Sequence, residues 1–200
     1  FKKVKDDYLV KGNINHKKLD IDKKNFDLFI KHFLPKIEFE KLRFSSSNLF
    51  SFKLSKKLKI NDFKLDSKIS INEFIVINKL DLKNFFPNIK ENLSFSDHEL
   101  SIKYIKNDLL VDGKGNALIQ NKNDVFTYSI NKKKNTIKFK TLLEVDGNPF
   151  RINFLNYKKN NTLIKLEGSV DKKDNIFVKL FSIKDKKNLI KIEKLILNKR

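Results

Sequence analysis

Cysteine, methionine and tryptophan are absent from this 200-residue chain, and it holds only 5 glycines and 3 prolines. Without cysteine there are no disulfides, no thiol nucleophiles and no sulfur-ligated metal sites, while the redox compartment stays open. No run of about 18 apolar residues occurs, so no segment reads as a membrane-spanning helix. A basic start followed by an apolar stretch and a small-residue cleavage site is missing too, so no signal peptide is read here. Beginning at Phe1, the chain reads as a segment of a longer protein, which would carry any targeting signals elsewhere. The scarcity of glycine and proline weighs against folds that punctuate themselves with those residues, and favours a smoothly curving repeated sheet.

What is present is greasy and basic. Phenylalanine alone accounts for 19 residues, enough to build a core and to argue against disorder. The formal charge is +20, with 44 basic residues of which only Arg43, Arg151 and Arg200 are arginine. The chain is also rich in Asn, Ile and Phe, residues of AT-rich codons, so genome composition accounts for much of that charge. Attraction to anionic lipid headgroups ranks next, and nucleic acid last, because arginine is scarce and no RNP1-type segment occurs.

Periodicity is clearest in the last third. Asn135, Asn148, Asn161, Asn175 and Asn188 open similar units, NTIKFKTLLEVDG, NPFRINFLNYKKN, NTLIKLEGSVDKKD, NIFVKLFSIKDKK and NLIKIEKLILNKR, about 13 residues apart. Ile137, Phe139, Thr141, Leu143 and Val145 share one face, then Phe150, Ile152 and Phe154, then Ile164, Leu166 and Val170. A period of two is the strand signal, and short polar turns between such runs predict antiparallel neighbours. Upstream, Leu100, Ile102 and Tyr104 alternate, Asp112–Asn116 (DGKGN) reads as a turn, and Phe126, Tyr128 and Ile130 form another apolar face. Tyr8, Val10 and Ile14 alternate around Gly12, as do Phe50, Phe52 and Leu54. The apolar set moves from Ile37 and Phe39 to Leu42 and Phe44, a change of parity that predicts a bulge. Phe26, Phe29, Ile30 and Phe33 repeat at helical spacing, so residues 24–34 read as a short amphipathic helix, capped by Asp22 or Asn25 and stopped by Pro35. Residues 80–92 read as a helical turn or connector around Pro87. It separates an N-terminal β unit, 1–79, from a repeated meander, 93–200, within one continuous architecture.

No catalytic constellation emerges. His16, His32 and His98 stand far apart without metal-ligand spacing, and each reads as a surface or turn residue. In DHEL, Asp97 and Glu99 would point away from His98 on a strand. DGKGN lacks the third glycine and the following helix of a dinucleotide fingerprint, and the Asp-Lys turns lack the carboxylates of a calcium loop. No cofactor, metal or enzymatic activity is expected. An antiparallel sheet with one apolar face must nevertheless cover it, with a second sheet, by barrel closure, with lipid, or with an apolar ligand. Outer-membrane barrels carry aromatic girdles that 4 tyrosines and no tryptophan do not supply.

The segment from Asp97 to Asp171, with strand, glycine turn, strand, alternating strand, NYKK turn and EGSV strand, resembles the AsmA-like C-terminal regions of AsmA/TamB-like proteins of the Gram-negative envelope. The terminal IKIEKLILN resembles the strand that follows there, and the pattern extends diffusely from Tyr8 to Asn198. The resemblance implies a mainly β fold, a long antiparallel meander curved into an open, taco-like groove with one or two short helices. It also implies a periplasmic segment whose parent is anchored in the inner membrane by an N-terminal helix outside this chain. The implied role is to carry or shield phospholipid acyl chains between inner and outer membranes and so support outer-membrane assembly. The candidate lining is Leu100, Ile102, Tyr104, Phe126, Tyr128, Ile130, Ile137, Phe139, Leu143, Phe150, Ile152, Phe154, Ile164 and Leu166. The register of 57–78, 175–184 and 187–198 stays open at this stage. The alternative is a structural or interaction β-sandwich with a closed core and no lipid.

Overall fold

Alternation and short polar turns fold the chain, in a computed structural model, into one antiparallel sheet of eleven strands lying side by side in sequence order. The structure describes residues 2–4, 7–25, 38–79, 81–172 and 175–197. The strands are β1 (Lys2–Val4), β2 (Asp7–Asp22), β3 (Phe39–Leu54), β4 (Ile60–Ile77), β5 (Asn92–Ile105) and β6 (Asp108–Leu118). They continue as β7 (Asp124–Lys133), β8 (Thr136–Ile152), β9 (Tyr157–Val170), β10 (Ile176–Lys184) and β11 (Leu189–Leu197). Strand β4 pairs with β5 across the connector, so the expected N-terminal and C-terminal units form one uninterrupted sheet. Among the described residues each strand makes its substantial contacts only with its sequence neighbours, and β1 does not meet β11 to close a barrel. The accessible surface is 14301 Å², whereas a compact monomer of 23.6 kDa exposes roughly 9,800 Å². The excess is the signature of a single layer.

Residues paired across an antiparallel ladder point to the same side, so the register defines two faces. One row runs through Ile14, Asn48, Ser67, Ile102, Val111, Ile130, Phe139, Gly168, Val178 and Leu195. The residues between such rows point the other way, for example Lys68, Ser101, Asp112, Ser129, Lys140 and Glu167. Bulges keep the faces in register where parity slips. The change expected around Phe39 is a register shift between Phe39 and Lys41; Ile37 lies outside the described residues. Further shifts fall at His16/Leu19, Ser96/Glu99 and Val178/Leu180.

Two expectations need correction. Asp112–Asn116 is not a turn but the middle of β6. The chain reverses instead at Lys106 and Asn107, whose φ values of 51° and 70° suit a two-residue hairpin. Gly113 and Gly115 are small for a packing reason: a Cβ on Gly113 would lie 2.4 Å from Tyr128 Cζ, and one on Gly115 would lie 2.3 Å from the His98 ring and 2.6 Å from His98 Cα. Rings from neighbouring strands therefore lie flat over these two glycines.

The second correction concerns the 13-residue period. The turn expected at Asp146 and Gly147, before Asn148, is a bulge inside the 17-residue β8, between Asp146 and Phe150. Gly147 there has φ 68°. Backbone groups freed by the bulge find side-chain partners: Asp146 N–H donates to Asp124 Oδ1 (3.1 Å) and Gly147 N–H to Asn161 Oδ1 (2.9 Å). The strand therefore continues to Ile152, and a 3-10 turn, Asn153–Leu155, makes the real reversal. Asn175 and Asn188 do mark turns. Asp171 Oδ1 accepts the Asn175 N–H, and Asp185 Oδ1 accepts the N–H groups of Lys187 and Asn188.

Residues 23–25 are helical, with Asp22 Oδ1 accepting the Asn25 N–H at 2.8 Å. The rest of the expected 24–34 helix lies outside the described residues, as does His32. The connector around Pro87 has turns, with Phe86 N–H donating to Leu82 O and Ile89 N–H to Phe86 O.

Replacing Gly115 with alanine forces a methyl against the His98 backbone, and overpacking of this kind costs about 1–3 kcal/mol. Gly12→Ala meets only the far end of the Phe50 ring, which can swing away. Urea denaturation is expected to show a clear loss for Gly115→Ala and a smaller one for Gly12→Ala.

Candidate functional site

The candidate site is the apolar face. Leu100 and Ile102 on β5 pair through β6 with Tyr128 and Ile130 on β7, which pair with Thr141 and Phe139 on β8, while Tyr104 pairs through Leu109 with Lys132. Phe126 opposes Leu143, Leu143 opposes Ile164, and Thr141 opposes Leu166, so the expected lining from β5, β7, β8 and β9 gathers on one side. Ile137 lies within the upper row, which runs through Tyr104, Leu109, Lys132, Ile137, Val170, Ile176 and Leu197. Phe150 and Ile152 rejoin the same side beyond the β8 bulge, where they cluster with Val145, Tyr157 and Ile183. Phe154 does not belong: it sits in the 3-10 turn, 85% exposed, because the strand ends at Ile152 before alternation reaches it.

Registers left open by the sequence are settled by pairing. Leu65, Ile69, Ile71 and Phe74 of β4 join the face, as do Phe181 and Ile183 of β10 and Ile190 and Ile192 of β11. Bulges hid these residues, because alternation read through a bulge changes sides. Aromatic rings run along the face in contact, Phe39 with Phe74, Phe74 with Phe95, Phe95 with His98, and His98 with Tyr128. The carpet is also interrupted by polar side chains. Ser46, Asn48 and Ser67 occupy the β3–β4 centre, where Asn48 Nδ2 donates to Ile14 O and Ser46 Oγ and its oxygen accepts from Ser67.

One border of the face is covered by the chain itself. The connector packs Phe86 onto Phe150 at 5.3 Å between ring centroids, with Leu82 and Ile89 against the same cluster. Backbone bonds fasten it: Arg151 N–H donates to Phe85 O, and Lys90 N–H to Ile119 O. Beneath it lies a buried polar knot of Gln120, Asp124 and Asn148. Gln120 accepts from Asn88 N–H and donates to Pro149 O, while Asn148 bonds Lys122 N–H, Lys122 O and Asp124 Oδ1. Burial raises the Asp124 carboxyl above its ordinary pKa, and its Oδ2 has no partner. Among the described residues the opposite border ends in short turns.

His98 also departs from expectation. It is 3% exposed, within β5, with Nε2 at 2.9 Å from Asn116 O. Burial lowers its pKa, so the ring is neutral at pH 7. Alternation counted back from Leu100 gives His98 the apolar side, and β5 continues through it without a shift, so the reading of His98 as a surface or turn residue is what failed.

The polar face has its own open depression, about 660 Å³, over Ser101, Thr127 and Ser129. Lys68, Lys114 and Lys140 line it alongside Glu99 and Asp112, a mixed-charge surface that selects no ligand class. Among the described residues no group of three or more His, Asp or Glu could hold a metal ion, and no helix is long and apolar enough to cross a membrane. No family model, curated protein or solved structure matches the chain.

A histidine with a depressed folded pKa binds fewer protons folded than unfolded below pH ~6.5. Stability is therefore expected to be full above that pH and to fall as pH drops, levelling off below the folded pKa. Denaturation midpoints across this window should show the slope in the native chain and a weaker slope in His98→Gln.

Proposed function

We propose that the apolar face carries or shields phospholipid acyl chains, as a segment of an AsmA/TamB-like envelope protein bridging the inner and outer membranes. In this reading the parent is periplasmic, anchored in the inner membrane by a helix outside this chain, and supports outer-membrane assembly. The role is binding and passage, with no cofactor and no catalytic step.

The observation that carries the reading is continuity. Among the described residues, apolar rows cross the sheet without a second layer above them, and Ile14, Ile137, Ile192 and Leu195 on those rows are 37–49% exposed. Burying a methylene is worth about 0.8 kcal/mol. A row of similar side chains offers that gain repeatedly along the sheet, so a hydrocarbon chain is held without being trapped at one point. The alternative, a structural or interaction module without lipid, is favoured by one observation, the connector already covering Val145, Phe150 and Tyr157.

The test is lipid extraction and native mass spectrometry of the chain purified gently from a Gram-negative periplasm. Co-purifying phospholipid is expected, and a charged pair in the central row, Ile130→Glu with Phe139→Glu, should cut it at least about tenfold. A protein that is lipid-free after such isolation overturns the proposal in favour of the module.

A further inference from the structure

Two borders of the apolar face differ, and the difference has a chemical consequence. At one border the connector, the β6–β7 loop and the Gln120–Asp124–Asn148 knot cover the hydrocarbon surface. At the other, the links between β5 and β6 and between β7 and β8 are the turns at Lys106–Asn107 and Lys134–Asn135, too short to fold back over the face. An acyl chain lying on the face, with its polar end directed out, leaves by this second border.

A depression of about 470 Å³ sits at that exit, lined by Tyr104, Leu109 and Lys132 of the upper row and by the residues of the two turns. Lys132 is the one charged side chain in that row. Its ammonium is joined around the depression by Lys106 and Lys134, with Asp108 the single acid. Both flanking lysines take left-handed turn conformations, φ 51° and 52°, which pins their backbones at the hairpin tips. Tyr104 Oη donates to Asn107 Oδ1 at 2.7 Å, orienting that carboxamide at the rim.

We infer that Lys106, Lys132 and Lys134 form a headgroup subsite that takes the phosphate of a phospholipid whose acyl chains lie on the apolar face. Lysine serves as a point-charge partner for phosphate, and three ammonium groups against one carboxylate leave a net positive seat. The mixed-charge depression on the opposite face has no apolar row beside it and is not such a seat. This inference rests on the acyl-chain reading and adds to it an orientation, with heads at the hairpin tips and tails running toward the connector.

The experiment uses the whole 200-residue chain and two lipids with the same oleoyl tails, phosphatidylglycerol and the phosphate-free diacylglycerol, with retention read by native mass spectrometry. The triple variant Lys106→Glu, Lys132→Glu and Lys134→Glu is compared with a control of equal charge change, Lys17→Glu, Lys18→Glu and Lys83→Glu, after circular dichroism confirms both sheets. About 1 kcal/mol per lysine predicts a loss of phosphatidylglycerol on the order of hundredfold in the triple variant, with diacylglycerol retained and the control close to the native chain. Phosphatidylglycerol held equally by the triple variant and the native chain overturns the headgroup subsite while leaving the acyl-chain reading standing. Neither lipid held by the native chain overturns both. Inorganic phosphate alone binding the native chain as tightly as the lipid shows a free-anion site and overturns the headgroup assignment.

Discussion

The constraint on which everything else depends is parity. A strand offers its side chains alternately to two sides, so eleven strands share one apolar face only if each enters the sheet on the correct count. Several strands are long, 14 to 18 residues in β2, β3, β4, β5, β8 and β9, and each length is a chance for the count to slip. The bulges correct it. The extra residue at Asp97, with φ 53°, lets both Phe95 and His98 join the apolar side. In β10 the shift after Val178 keeps Val178 and Phe181 together there although they are three residues apart.

Bulges also create the one part of the molecule that resembles a conventional core. Breaking the β8 ladder at residues 147–149 frees polar backbone, and satisfying it draws Asp124, Asn148 and Gln120 inside. Buried polar groups are tolerated only when bonded, so the knot fixes the geometry of three loops at once, and the connector lies down over it. The cost is visible in Asp124, whose second oxygen goes unpartnered and whose carboxyl resists ionisation. A cluster of Phe86, Phe150, Ile152 and Tyr157 directly beside the knot offsets it.

The fold class and most of the face were legible because the sequence states alternation directly. Ile137, Phe139 and Leu143 needed only a period of two. The misreadings share one cause: the same residues that end strands also decorate them. DGKGN and VDGNP carry turn chemistry, yet Gly113 and Gly115 are small to seat neighbouring rings, and Gly147 bends a strand that tertiary hydrogen bonds allow to continue. His98 was misplaced because it was read as a surface or turn residue although it keeps step with Leu100, whereas Phe95 lies beyond a bulge residue of ordinary type, Asp97, that leaves no trace in composition. Cross-strand partners decide such cases, and a sequence does not list them.

The charge of the chain bears on what can occupy the face. An uncovered apolar sheet is an association hazard, and nature limits it with charge. Several acids are engaged by basic neighbours on the polar side, Glu73 by Lys41 at 2.8 Å, Asp20 by Arg43 at 2.6 Å and Glu167 by Lys165 at 2.8 Å. Exposed pairs of this kind contribute little stability, so their effect is to fix strand neighbours while the lysine surplus keeps its field. With a net charge of +20, a second copy approaching the apolar face is repelled as a whole before its hydrocarbon can make contact. In the proposed acyl-chain reading a phospholipid meets no such barrier, since its tails are neutral and its phosphate would be drawn to the same lysines. Composition that could be dismissed as codon bias therefore discriminates between the two occupants an open apolar sheet would otherwise accept equally.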